Sequence, residues 1–264
     1  MQRCHAFLVP AYGRSPYLEA CLSSLHEQSI DTSILISTST PFDGLDRVAA
    51  KFNAKLFVHG PNQGMAHDWN TGLAEVQTPW VTIAHQDDLY RPDFVESLMY
   101  AVKNTNHDLS LVFTNYDEII GDSIRSSSQL LRIKQMLLWF AFRGRTTIST
   151  TKDKINALRF GNPIPCPSVS LNLSKLKLTF DPNLKINMDW VAWLDCAHQP
   201  GAFHWIRKPL MSHRLHKASE TTGGLSSGAR SQEDLAILQQ LWPKQVAWLI
   251  HKTYAIAYKH NLEA

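Results

Sequence analysis

The stretch that decides the fold is Trp80-Val81-Thr82-Ile83-Ala84-His85-Gln86-Asp87-Asp88-Leu89-Tyr90-Arg91-Pro92-Asp93-Phe94. Its residues 81–84 are rich in β-branched side chains and predict a short buried strand. Pro92 suits the first turn of a following helix, in which Phe94 and Leu98 recur at helical spacing. A strand followed closely by a helix is the unit of an open α/β sheet, and ligands of such sheets bind at the carboxyl ends of the strands.

Two adjacent carboxylates, Asp87 and Asp88, lie between this strand and this helix, and His85 precedes them. Carboxylate oxygens are the ligands that hard divalent cations prefer, and a bound cation can in turn hold a diphosphate. Aspartate is also common in solvated turns. The pair alone therefore leaves two interpretations open, a cation site and an ordinary turn.

The same alternation of strand and helix runs through the first hundred residues. Strands are predicted at residues 4–9, 33–37 and 55–59, and helices at residues 16–25, 43–52 and 65–76. Strands that alternate with helices indicate an α/β fold with a mostly parallel central sheet, right-handed crossovers and flanking helices.

The pattern changes beyond residue 108. Strands are predicted at residues 109–114, 168–173, 202–206 and 210–215, and a helix at residues 188–197. The Ser/Gly/Thr-rich run 219–230 predicts a mobile loop, and a helical pair interrupted at Pro243 follows it.

Residues 129–145 form an amphipathic segment dense in Leu, Ile, Met, Trp and Phe. Arg132, Lys134, Arg143 and Arg145 are interspersed among them. Such a segment could lie on an anionic membrane surface, where a lipid-linked acceptor would be found. A helix packed over the mouth of a functional site explains the pattern as well.

Composition excludes several classes of protein. The chain has 264 residues, of which 44% are hydrophobic and 19% charged, as in globular domains with a sizeable core. A net charge of +3 is too small to indicate nucleic-acid binding. No run of eighteen apolar residues and no signal-peptide pattern is present, which predicts a cytoplasmic chain without a membrane span.

Five short elements occur in order between residues 5 and 220. They are Pro10-Ala11-Tyr12-Gly13-Arg14, Asn62-Gln63-Gly64 with Asp68-Trp69-Asn70-Thr71-Gly72, His85-Gln86-Asp87-Asp88, Met188-Asp189-Trp190 with Trp193-Leu194, and Arg214-Leu215-His216. Together they resemble the P-x-Y-N, N-x-G…R-N-x-G, D-x-D-D, E-D-W…W-L and R-x-H motifs of family 2 glycosyltransferases. The His-Gln-Asp-Asp variant resembles a subgroup found in bacterial surface-polysaccharide loci.

The resemblance implies a GT-A fold with a helical C-terminal extension. Residues 1–220 would form the glycosyltransferase domain, with a nucleotide-binding half (1–108) and an acceptor half (109–220), and residues 221–264 would pack on it. The implied activity is inverting transfer of a sugar from a nucleotide-diphosphate donor, with a UDP-sugar favoured. The implied acceptor is a saccharide or a lipid-linked glycan, with peripheral contact to the inner membrane.

The resemblance also implies roles for the polar residues at the centre of the motifs. Asp87, with Asp88 beside it, would be the first metal ligand and His216 the second, and Mn²⁺ or Mg²⁺ fits such ligands. Asp189 would be the base that accepts the proton of the acceptor hydroxyl. A helix start favours both a charged base and a plain N-cap, so both interpretations of Asp189 stay open. Trp190 would wall the acceptor sugar.

The donor would be bound by residues from the first half and by one arginine near the end of the domain. Pro10 and Ala11 would offer backbone groups to the nucleobase, and Tyr12 would stack on it. Further donor contacts are predicted for Arg14 and Arg214 with phosphates, for Asp68 and Asn70 with the donor sugar, and for His85 with the ribose or the metal.

Departures from the family pattern bear on the nucleoside and on activity. The family usually carries acids after its second strand, whereas residues 36–40 here offer only hydroxyls, such as Ser39, and backbone groups. That absence is the best support for the alternative of a catalytically silent binding subunit, and the retained Asp87, Asp189 and His216 speak against it. A nucleotidyltransferase is disfavoured because no Gly-rich loop follows the first strand.

Overall fold

The computed structural model describes residues 3–216 and 228–262, with side chains in the last helix described as far as residue 253. The strands are β1 (His5–Tyr12), β2 (Ser33–Thr40), β3 (Lys55–Val58), β4 (Trp80–Ile83), β5 (Leu89–Tyr90), β6 (Leu109–Ile120), β7 (Ser123–Arg125), β8 (Thr147–Ile148), β9 (Val169–Asn172) and β10 (Ala202–Leu215). The helices are α1 (Leu18–His26), α2 (Leu45–Lys51), α3 (Met65–Ala74), α4 (Phe94–Asn104), α5 (Gln129–Phe142), α6 (Thr151–Leu158), α7 (Met188–His198), α8 (Ala229–Leu241) and α9 (Lys244–Leu262).

One sheet runs through the protein in the order β3-β2-β1-β4-β9-β6-β10-β5, with β7 on β6 and β8 on β10. The first four strands of this order are parallel, as the sequence predicts. Strand β9 is antiparallel to both of its neighbours, and β6 and β10 are parallel to each other. The chain leaves β1 towards β3 and returns to β4 on the other side of β1, so the order reverses at this point of the sheet and leaves a crevice there.

Helices cover both faces of the sheet, and alternate residues of β1 point to the two faces. Phe7 and Val9 pack in a core with α1, α2 and α4, whereas Leu8 packs in a second core with α3 and α7. Parallel strands that are buried on both faces need continuous apolar runs, which is what residues 6–9 provide.

Two predicted strands, 202–206 and 210–215, are one strand, β10. Pro209 lies within this strand, although proline lacks the N–H that a ladder needs. The structure accommodates it by register shifts on either side of Pro209, and pairing with β6 resumes at Met211. Long-range pairing with a twelve-residue neighbour thus outweighs the local signal.

Short elements such as α6, β5 and β8 escaped the sequence analysis, and one prediction lies partly outside the described residues. Helix α6 has a weak apolar pattern and begins where the Thr150 hydroxyl accepts from the Asp153 backbone N–H. Strand β5 is only two residues long and pairs with β10. Of the predicted loop 219–230, residues 219–227 lie outside the described part, and Arg230 belongs to α8 rather than to a loop.

Helix α5 buries one face and exposes the other. Leu138 and Phe142 pack in the core, whereas Met136, Trp139 and Phe140 each expose half or more of their surface. Within residues 3–216 and 228–262, no helix combines the length and the apolar character needed to cross a bilayer.

Candidate active site

A cavity of about 790 Å³ opens at the carboxyl edge of the sheet, a size typical of small-molecule sites. The ends of β1, β4 and β10 and the starts of α3 and α7 contribute to its wall. Predicted site residues that line it are Pro10, Ala11, Tyr12, Asp68, His85, Asp87, Asp189 and His216. Predicted site residues that are not part of its wall are Arg14, Ser39, Asn70, Asp88, Trp190 and Arg214.

Asp87 and His216 meet at one side of the cavity, although 129 positions separate them. The Asp87 Oδ2 atom lies 2.6 Å from His216 Nε2, and both side chains keep part of their surface exposed. A carboxylate oxygen and an imidazole nitrogen are a donor set that Mn²⁺ accepts and that Mg²⁺ accepts less readily. The two side chains therefore fit a divalent cation at the cavity wall.

Asp88 points away from the cavity and is fully buried. Its Oδ1 atom accepts from the Arg214 backbone N–H at 2.9 Å and lies 2.9 Å from His213 Nδ1. Burial by itself would raise the pKa of Asp88, but the charge and hydrogen bond of His213, with smaller contributions that include the Arg214 N–H, bring the pKa below its ordinary value. Burial likewise opposes the charged form of His213, and Asp88 raises the pKa of that ring overall.

Asp88 also belongs to a second group of possible ligands. His85, Asp88 and His213 each offer an atom within 4.8 Å of the others. His85 lines the cavity, its ring packs on Trp69 at 5.4 Å between centroids, and its buried Nε2 atom has no partner among the described residues. The Asp88 oxygens are already engaged by protein groups. The role of Asp88 as a metal ligand stays a prediction.

The two arginines predicted to contact phosphates are directed elsewhere. Arg14 donates to the Asp43 carbonyl at 2.8 Å and lies over the Phe42 ring. Arg214 donates from Nε to the Asp87 carbonyl at 3.0 Å and lies over a tyrosine ring. Arg14 thus holds the loop before α2, and Arg214 holds the backbone of Asp87. Their predicted contacts with phosphates stay predictions.

Of the two predicted site residues on α3, Asp68 faces the cavity and Asn70 does not. Asp68 lines the cavity, and its Oδ2 atom accepts from the Ser39 hydroxyl at 2.7 Å. Asn70 instead makes two 2.8 Å hydrogen bonds with the backbone of Phe180. This pairing ties α3 to the segment before α7, and the predicted contact of Asn70 with the donor sugar stays a prediction.

Asp189 is the second residue of α7, and Asn187 is the N-cap, so the interpretation of Asp189 as a plain N-cap is wrong. Its Oδ2 atom accepts from Asn162 Nδ2 at 2.9 Å, and its Oδ1 atom accepts from the Trp190 backbone N–H at 2.7 Å. Burial raises the pKa of Asp189, and the positive charge of Arg230 partly opposes that rise. A carboxylate with a raised pKa at a cavity wall suits proton transfer.

Trp190, which was predicted to wall the acceptor, and Trp193 of the same motif are core residues. Trp190 and Trp193 are buried, and their indole N–H groups donate to the carbonyls of Leu158 and Ile164. Satisfied and enclosed on the inner face of α7, neither ring is available to a sugar. The prediction that Trp190 walls the acceptor is therefore wrong.

Asn162 and Arg230 are among the cavity residues that the sequence analysis missed. Asn162 holds Asp189, and Arg230 brings a positive charge to the same side from the start of α8. The run Gly161-Asn162-Pro163 indicates only a turn. Nothing in the local sequence links it to a carboxylate 27 positions away.

Comparison with known proteins agrees with this geometry. The family model described as "Glycosyl transferase family 2" matches residues 6–173. The glycosyltransferase GlyG of Streptococcus pneumoniae is 25% identical over 129 residues, which are 46% of this chain and 43% of that protein. This chain spans between 16% and 43% of the length of the curated relatives it matches.

Solved structures share the fold at low sequence identity. Residues 1–349 of TarS from S. aureus superpose with a TM-score of 0.65 at 14% identity, covering 94% of this chain and 69% of that one. A second structure is glucosyl-3-phosphoglycerate synthase from Mycobacterium tuberculosis in complex with Mn²⁺, UDP-glucose and phosphoglyceric acid. It superposes with a TM-score of 0.56 at 15% identity, covering 90% of this chain and 80% of that one. These likenesses confirm the predicted GT-A architecture.

The two adjacent aspartates should differ in their effect on stability. Asp88→Ala leaves a buried histidine and a backbone N–H without their partner, so we expect the free energy of unfolding to fall by about 3–5 kcal/mol. Asp87→Ala removes a partly exposed carboxylate and should change it by less than about 1 kcal/mol. Urea unfolding of the two variants measures both values, and equal losses would contradict the assignment of Asp88 to the scaffold.

Proposed function

Since this chain belongs to glycosyl transferase family 2, we propose that it transfers a sugar from a nucleotide-diphosphate donor to a saccharide or lipid-linked acceptor, with inversion. The observation that carries the proposal is the convergence of the Asp87–His216 pair and Asp189 on one cavity. A UDP-sugar is the favoured donor, because UDP-glucose is bound in the structure of the mycobacterial synthase. As the motif resemblance implies, the product would enter a bacterial surface polysaccharide.

The donor side of the cavity would hold Mn²⁺ or Mg²⁺ between Asp87 and His216. When bound, the cation neutralises the charge that develops on the leaving diphosphate. The chain itself fixes both ligands, since Arg214 holds the Asp87 carbonyl and His216 lies two residues further along the same segment. Preorganised ligands lower the cost of ordering the site at each turnover.

On the acceptor side, Asp189 would act as the base. The acceptor hydroxyl oxygen forms the new bond to the anomeric carbon while the bond from that carbon to the diphosphate oxygen breaks. The hydroxyl proton passes to the Asp189 carboxylate, whose position is fixed by Asn162 and the Trp190 N–H. Attack opposite the leaving group inverts the anomeric configuration.

The site residues support the proposed division of the domain. Tyr12, Asp68 and Asp87 come from residues 1–108, the proposed nucleotide half, and Asp189 comes from residues 109–220, the proposed acceptor half. Arg230 lies in the segment 221–264 and reaches the same cavity. That segment therefore contributes to the acceptor side instead of only packing on the domain.

Calorimetric titration with UDP and other nucleotide diphosphates, with and without Mn²⁺, tests the donor site. We expect UDP to bind only with the cation, and Asp87→Ala to abolish binding because it removes the carboxylate ligand. Asp122→Ala, at an exposed turn, is the matched control and should bind normally. Protein that binds no nucleotide in any metal would overturn the proposal and favour the catalytically silent subunit.

Asp189→Asn should lower turnover by roughly 10²–10⁴-fold and leave UDP binding unchanged, because only the base is lost. The raised pKa of Asp189 places the acidic limb of the rate above the pH at which an ordinary aspartate titrates, about 3.9. The rate falls as the pH drops through that pKa, since a protonated carboxyl cannot accept the proton. Asn162→Ala should move this limb further upward, because it removes a hydrogen bond to the charged form.

Asp195→Asn, an exposed carboxylate on the same helix, is the control for the rate and for the pH profile. Product formation from the best donor over a range of pH measures both. A normal rate for Asp189→Asn, or a limb that Asn162→Ala leaves in place, would remove Asp189 from the role of base.

The exposed face of α5 supports the proposed contact with the cytoplasmic face of a membrane. Met136, Trp139 and Phe140 offer an apolar surface, and residues 129–145 contain basic but no acidic side chains. The cytoplasmic leaflet is anionic and attracts such segments. Leu130 of the same helix lines the cavity, so a lipid-linked acceptor would lie close to both.

Co-sedimentation with vesicles tests this contact. We expect binding to vesicles with 30% phosphatidylglycerol, a composition chosen to approximate an anionic leaflet, and weaker binding to pure phosphatidylcholine. Trp139→Ala with Phe140→Ala should reduce binding to anionic vesicles about tenfold, because each ring buries apolar area. Tyr100→Ala, an equally exposed aromatic on α4, should not, and an equal loss there would contradict the assignment to α5.

A further inference from the structure

The carboxyl end of β2 receives a carboxylate from another element. Residues 36–40 contain no acid, yet the Ser39 hydroxyl donates to Asp68 Oδ2 at 2.7 Å. Asp68 lies in the first turn of α3, where its backbone N–H donates to the Gly64 carbonyl. The helix thus places a negative charge where the strand itself has only hydroxyls.

The second oxygen of this carboxylate has no hydrogen-bond partner in the part of the chain that the structure describes. Asp68 is only 7% exposed, and its Oδ1 atom is buried without a hydrogen bond among the described residues. A buried acceptor that lacks a donor costs free energy, more so when it carries charge. Because Asp68 lines the cavity, a ligand in the cavity can supply the missing donor.

The order of strands indicates which part of the ligand lies there. Asp87 follows β4, Tyr12 ends β1, and Ser39 lies at the end of β2, on three neighbouring parallel strands. Two strand spacings are about 10 Å, roughly the distance from a diphosphate across a ribose to a base. The cavity continues in the other direction towards Asp189, where the transferred sugar has to meet its acceptor.

The chemistry of the free oxygen selects among bases. With Oδ2 engaged by Ser39, Asp68 can take one N–H donor at Oδ1. The N3–H of uracil is such a donor, whereas N3 of cytosine is an acceptor that a carboxylate repels. Guanine presents two adjacent donors, which suit a carboxylate with both oxygens open.

We propose that Asp68, oriented by Ser39, recognises the nucleobase of the donor and selects uracil by accepting a hydrogen bond from its N3–H. This inference rests on the proposed function and names the specificity residue of the same site. The carboxylate that contacts the base would thus come from α3, because the end of β2 in this chain has none.

The test is calorimetric titration of UDP and CDP, with Mn²⁺, into four proteins: wild type, Asp68→Asn, Ser39→Ala and Asp46→Asn. Asparagine keeps the shape of aspartate and turns one acceptor into a donor. We expect Asp68→Asn to lower the affinity for UDP at least about tenfold and to raise the affinity for CDP relative to UDP. Asp46→Asn changes an exposed carboxylate on α2 and should leave both affinities as in the wild type.

Ser39→Ala provides an independent check, because it releases Asp68 without altering the acid. We expect it to weaken UDP and to raise the affinity for GDP relative to UDP, since both carboxylate oxygens become open. An unchanged UDP-to-CDP ratio in folded Asp68→Asn would overturn the inference while leaving the proposed function intact. If Asp68→Asn does not fold, an unchanged UDP affinity in Ser39→Ala overturns it. Wild-type protein that binds neither nucleotide overturns the proposed function, and this inference with it.

Discussion

The buried contact of Asp88 with His213 and the Arg214 N–H joins the two halves of the site. Strands β4 and β10 are not neighbours, since β9 and β6 lie between them. The segment that follows β4 nevertheless reaches β10. There the Asp88 carboxylate contacts His213 and Arg214 and holds the two segments together. A buried carboxylate is stable only where donors form hydrogen bonds with it. One alignment of the segment after β4 against β10 is therefore favoured. That alignment sets Asp87 against His216.

Neighbouring carboxylates acquire different roles because their surroundings differ. Asp88 is enclosed by a histidine and a backbone donor, which hold its pKa below the ordinary value. Asp87, the residue directly before Asp88, faces the cavity, where it remains accessible to a cation. Asp189 is buried with fewer compensating charges, and its pKa rises. One residue type thus provides a scaffold contact and, in the proposed function, a metal ligand and a base.

Much of the fold and the centre of the site could be predicted from sequence, because both depend on local patterns. Alternating strand and helix periods indicate the parallel half of the sheet, and the order of motifs singles out Asp87, Asp189 and His216, which line one cavity in the structure. The remaining contacts are between distant positions that local periodicity does not encode. Asn70 is bound to Phe180 across 110 positions, and Asn162 to Asp189 across 27.

Side-chain direction was the other source of error. Trp190 directly follows Asp189, the proposed base, yet helical geometry turns its ring into the core, where the Leu158 carbonyl accepts from it. Arg214 lies in a recognised motif, yet its guanidinium serves the backbone of Asp87. In both cases packing decides which group of the motif segment reaches the cavity.

The most direct test of the site is anomalous diffraction at the manganese edge from a crystal grown with Mn²⁺ and UDP. We predict one manganese peak within ligand distance of Asp87 and His216, in contact with the diphosphate, in the cavity that Asp189 also lines. A peak among His85, Asp88 and His213 instead, or a cavity without nucleotide at saturating concentrations, would contradict the assignment of the donor site.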